Sequence, residues 1–107
     1  MKNLSVAILL TCAASTPAGT SSLEFNCANA EAMERMMSAM HRPSTGDVDR
    51  DYVSTMTPHH VGAIEMAQLE LRYGRNEQLR RMAQEIIVTQ KQEIEAMSIA
   101  INTGPAK

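Results

Sequence analysis

Leu79, Met82, Ala83, Ile86, Ile87, Gln90, Glu93, Ile94, Met97 and Ile101 recur at intervals of three and four residues, with Asn76 ahead of them and Gly104-Pro105 behind. That spacing returns every side chain to one side of a 3.6-residue helix and fits no strand, whose side chains change face at each step. Asn76 is a helix-capping residue and Gly-Pro a stop, so this stretch is predicted to be one long amphipathic helix. A second stripe, Tyr52, Val53, Met56, His60, Ala63, Ile64, Ala67 and Leu71, follows Asp47 or Asp49 as cap and ends near Tyr73-Gly74. A first helix is expected from an Asn29 cap through Met36 and Met40 to about His41, stopped by Arg42-Pro43, with Ser44-Thr45-Gly46 as loop. Residues 19–28 carry Gly, Thr, Ser, Asn and Cys with little periodicity and read as a leader. No stretch alternates with period two and the connections are short. The predicted fold is therefore all-α: an antiparallel helical bundle with three main helices.

Pro58 interrupts the second stripe. Proline lacks an amide hydrogen and its ring clashes with the carbonyl four residues back, that of Ser54. Either the helix kinks there, or Thr57 caps a fresh helix with Pro58 as its first residue. In the second case His59 and His60 lie in a first turn, where the helix dipole disfavours imidazolium and leaves ring nitrogens free for a metal.

The chain has 107 residues, enough for one domain. Lys2, the apolar run Leu4–Ala14 and the small residues that follow read as a secretory signal, and the run is too short to span a bilayer. Residues 1–22 are accordingly assigned to signal peptide and leader and 23–107 to a single helical domain, exported to the periplasm or secreted. Thr11 before Cys12 departs from the Gly, Ala or Ser of a lipoprotein cleavage box, so a cleaved signal is the preferred reading. Cleavage beyond Cys12 leaves Cys27 as the one cysteine, with no intramolecular disulfide to staple a small core. Three helices of unequal length close such a core poorly, and either dimerisation or a metal ion is expected to complete it.

Ten basic residues against twelve acidic ones give no footprint for nucleic acid or an anionic membrane. There is no Gly-rich phosphate loop, no pair of CxxC motifs and no recognisable nucleophilic serine, and the chain is not expected to be an enzyme. No histidine has a glutamate three positions before it, which excludes the usual ferritin-like di-iron ligand pattern.

From Leu23 onward there are eight methionines, at 33, 36, 37, 40, 56, 66, 82 and 97, against four leucines; core filling alone would favour leucine. Met33, Met36, Met37, Met40 and His41 share one stripe of the first helix. Met56, His59, His60 and Met66 project within about a third of the second helix's circumference. Gln90, Glu93 and Met97 on the third helix are candidates for supporting or additional ligands, or for a solvated face. Thioether sulfur prefers Cu(I) and imidazole also suits copper, whereas Mg²⁺ and Ca²⁺ want oxygen. Thioethers bind without losing a proton and cannot be lost to disulfides in an oxidising compartment. The same stripes also serve as flexible filler or as a sticky face for a partner helix.

The run Asp49-Arg50-Asp51-Tyr52-Val53-Ser54-Thr55-Met56-Thr57-Pro58-His59-His60, followed by Gly62-Ala63-Ile64-Glu65-Met66-Ala67, closely resembles the signature of the family catalogued as domain of unknown function 305. The resemblance continues through Leu79-Arg80, Ala83, Ile86-Ile87, Gln90, Glu93-Ile94 and Met97. Thr57 stands where an aliphatic is usual and Val61 where a Gln is usual, and no aromatic follows Met97. The resemblance implies an exported, ferritin-like helical protein of the kind some of whose members are linked to copper binding and tolerance, and by position it implicates Met56, His59, His60, Met66 and Met97.

The resulting expectation is a periplasmic carrier or buffer of Cu(I), and of the chemically similar Ag(I). Its main site is Met56, His59, His60 and Met66, with Met97 joining. Met33, Met37, Met40 and His41 form an auxiliary site. The expected partners are the copper ion, a second copy of the chain and another copper-handling protein. The alternative is a methionine-rich interaction or self-association module that needs no metal.

Overall fold

A computed structural model of the chain describes residues 21–103. They form three helices, α1 (Ser21–Met40), α2 (Val48–Tyr73) and α3 (Glu77–Asn102), and no strand. The all-α antiparallel architecture is the one the spacing predicts.

Helix boundaries follow local chemistry. Asp47 caps α2, its carboxylate accepting from the amides of Asp49 and Arg50, and Asn76 caps α3 by accepting from Leu79. The loop between α1 and α2 is tied down by Asp51, which accepts from the Ser44 hydroxyl at 2.8 Å and from both the amide and the hydroxyl of Thr45. Gly46 turns that loop with φ 83°, a left-handed conformation that suits glycine.

One expectation is corrected and one open alternative is decided. α1 starts at Ser21, not near Asn29, so residues 21–28 are helix and not leader; the earlier part of the assigned signal lies outside the described residues. Phe25 explains the extension: its ring packs edge-to-face on Tyr73 at 6.3 Å, and this contact outweighs the weak helix preference of the polar residues around it. α2 is one helix through Pro58, which fits the continuous-helix alternative and rules out the fresh start. There is no helix start at Thr57, and the dipole argument for His59 and His60 does not apply.

α2 is the central element. It packs on α1 through Phe25–Tyr73, Met36 against Gly62, and Arg35–Glu65 at 3.0 Å. It packs on α3 through His60–Glu93, and through Arg80, which donates to the carbonyls of Leu71 and Gly74. The packed pairs are α1 with α2 and α2 with α3, with no α1–α3 pairing among the described residues. On α2, Gly62, Glu65 and Tyr73 lie nearly half a turn around from His60, Ile64, Ala67 and Leu71 at about 100° per residue. The flanking helices therefore sit on opposite sides of α2, and the thinnest dimension of the molecule is 14 Å. The three helices form a single layer with two broad faces.

Little is buried inside such a layer. Among the described residues the buried apolar side chains are Ala32, Ile64, Ala67 and Ala83, and no large side chain is fully enclosed.

Candidate metal centre

The two faces differ in chemistry. Arg35 and Ala39 of α1 line one groove with Thr57, Val61 and Glu65 of α2. On that side the helical phase also places Glu31, Glu34 and Ser38 of α1 and Arg50, Gln68 and Arg72 of α2. The opposite side carries Met33, Met37 and Met40 of α1 with Tyr52, Met56, His59, Ala63, Met66 and Glu70 of α2. On α3 the contact from Glu93 to His60 marks this same side, and Leu79, Met82, Ile86 and Met97 share it at helical offsets from Glu93. Lys91, Gln84 and Glu95 fall on the other. One face is thus methionine-rich, with Glu70 and Glu93 as its carboxylates and no Lys or Arg of the three helices on it; the other carries the basic residues.

Helix register sets the levels along this face. Phe25 meets Tyr73 and Met36 meets Gly62, eleven residues forward on α1 and eleven back on α2. Continuing that register brings Met40 level with Pro58 and His59, and stepping back brings Met33 level with Glu65 and Met66. On the other side, His60 opposite Glu93 puts Met56 level with Met97. Met40, His59, Met56 and Met97 make up one level, and Met33 and Met66 another. Met33 is 45% exposed, Met37 61% and Met82 49%, so several thioethers face outward without cover.

The two adjacent histidines part company. His60 is buried at 7% exposure. Its Nδ1 lies 2.9 Å from the Met56 carbonyl and its Nε2 lies 2.6 Å from a Glu93 carboxylate oxygen. A carbonyl and a carboxylate both accept, so satisfying them takes a proton on each ring nitrogen or a proton carried by Glu93. With both nitrogens engaged, His60 reaches a metal only by surrendering one of these partners. His59 is exposed, with its ring centroid 6.2 Å from that of His60, and lies on the methionine face.

The remaining candidates divide similarly. Met36 lies between the helices against Gly62, where a Cβ on residue 62 would stand 2.9 Å from the Met36 Cβ. His41 lies just past the end of α1 and is exposed. Cys27 is disulfide-bonded. Among the described residues no three His, Cys, Asp or Glu side chains gather as a metal site. Sequence reasoning missed Gly62 and Arg80; the glycine in mid-helix was the available signal, marking close approach of α1.

No curated protein matches the chain. The model of the family described as domain of unknown function (DUF305) matches residues 11–100, spanning all of α1 and α2 and most of α3. The match reaches well upstream of the residues that carried the resemblance, taking in the methionines of α1, and the chain belongs to the DUF305 family.

Proposed function

We propose that this protein binds a soft monovalent metal ion, Cu(I) with Ag(I) as its chemical equivalent, on the methionine face, and that it buffers or hands on that ion outside the cytoplasm. The observation that carries the reading is the segregation of Met33, Met37, Met40, Met56, Met66, Met82 and Met97 to one face together with exposed His59. Thioethers are polarizable, uncharged ligands that suit Cu(I) and Ag(I) and discriminate against hard cations. Several sulfurs at successive levels of one surface allow an ion to pass stepwise, which a carrier needs and a rigid closed site does not provide. On this reading the protein is not an enzyme, and His59 supplies the imidazole while His60 fixes α2 against α3 through Glu93. The test is titration with Ag(I), or with Cu(I) under reducing conditions. His59→Ala combined with Met56→Leu and Met66→Leu should abolish or strongly weaken binding, and unchanged binding would remove the site.

A second reading has its own support. Tyr52, Leu79 and Ile86 are also exposed on this face, and none of them carries a soft donor atom for such a metal. They suit a packing partner, and the face then serves association with or without an ion.

A further inference from the structure

We infer that the methionine face is closed by a second copy of this chain, face to face, so that the soft ligands described above lie between two protomers. The dimer itself stands without the metal reading; the sharing of ligands rests on it.

The first ground is the missing core. A helix layer with one apolar side must bury that side against another layer. Here the layer has no such cover among the described residues, and its buried apolar set is one isoleucine and three alanines. A domain of this size with so little interior is stabilised by a second subunit or an equivalent.

The second ground is area. α2 and α3 have 26 residues each. At 1.5 Å per residue and 8–10 Å between axes, a three-helix face covers roughly 1,000 Å². Two such faces apposed remove about 2,000 Å² from water, the range of obligate dimers.

The third ground is charge. The methionine face carries no Lys or Arg from the helices, and its carboxylates are Glu93, already bound to His60, and Glu70 of α2. A face meeting its own copy brings no cationic repulsion into the interface. A nucleic acid or an anionic lipid surface would instead call for basic residues here. A two-fold pairing is isologous, each copy presenting the same patch. α2 is the middle helix of both layers, which places Met56, His59 and Met66 near the centre of the contact.

The experiment is analytical ultracentrifugation of the purified full chain at micromolar concentration in chelator, with no metal present. The expected mass is twice the 11.7 kDa of one chain. Ile86→Glu on the methionine face should halve it, while Val88→Glu, an exposed apolar position off that face, should leave it unchanged. Should Ile86→Glu fail to fold, methyl NOEs between ¹³C-labelled and unlabelled wild-type chains serve instead, and are expected from Met33, Met66 and Met82. A wild-type monomer, including one in which residues 1–20 of the same chain protect the face, would overturn the inference. So would a dimer whose intermolecular contacts arise from the charged face. A metal-free dimer that fails to bind Ag(I) sinks the metal reading alone, and a monomer that binds Ag(I) sinks the dimer alone.

Discussion

The imidazole of His60 bridges two helices, with Nε2 2.6 Å from the Glu93 carboxylate on α3 and Nδ1 2.9 Å from the Met56 carbonyl one turn back on α2. A buried ring thus has both nitrogens satisfied, and it fixes the register of the α2–α3 pair at the level of the methionine cluster. Glu93→Ala leaves one nitrogen of a buried ring without a protein partner and is expected to cost about 1–3 kcal/mol. Glu93→Gln keeps an acceptor in place and should cost less. Urea denaturation of the three proteins checks the order, and equal stability of Glu93→Ala and wild type would show that the contact is dispensable.

Gly62 sets how closely α1 approaches. A Cβ there would meet Met36 at Sδ, Cγ and Cβ, the last at 2.9 Å, so rotating the tip of the methionine does not clear the clash. Gly62→Ala is therefore expected to push α1 outward and to destabilise the chain by about 1–3 kcal/mol despite alanine's better helix propensity. Gly62→Ala with Met36→Ala should recover part of the loss, which a double-mutant cycle by denaturation measures.

Asp51 ties the loop between α1 and α2 to the first turn of α2. Hydrogen bonds from the Thr45 amide, and then from the Thr45 and Ser44 hydroxyls, hold its pKa below the ordinary carboxylate value. A carboxylate whose folded pKa is depressed contributes stability above its unfolded pKa and loses it as pH falls through the folded one. The loop should therefore stay ordered at neutral pH and loosen only below about pH 4, the ordinary aspartate value. Thr45 amide exchange followed across that range reports the loss, and Asp51→Asn should weaken the protection and flatten its pH dependence.

Much of this architecture is legible in the residue pattern, and its failures have physical causes. The α3 stripe from Leu79 to Ile101 and the caps Asp47 and Asn76 depend on local spacing and hydrogen bonding, which sequence carries directly. The early start of α1 depends on Phe25 meeting Tyr73, a contact between distant residues that local polarity hides. The unbroken course of α2 through Pro58 reflects packing on both flanks of the helix, which outweighs the local cost of proline. The histidine pair shows the same limit: spacing places His59 and His60 near one another, but only the position of α3 decides that His60 turns inward to Glu93 while His59 stays exposed.

The central claim is that the thioethers of the methionine face take up a soft cation, and ¹³C-methyl NMR of the methionines during Ag(I) titration addresses it most directly. Saturable shifts of the Met33, Met40, Met56, Met66 and Met97 methyls are expected, with His59 responding and no effect from Mg²⁺. Methyl resonances that stay unmoved at stoichiometric Ag(I), or that move equally with Mg²⁺, would contradict it.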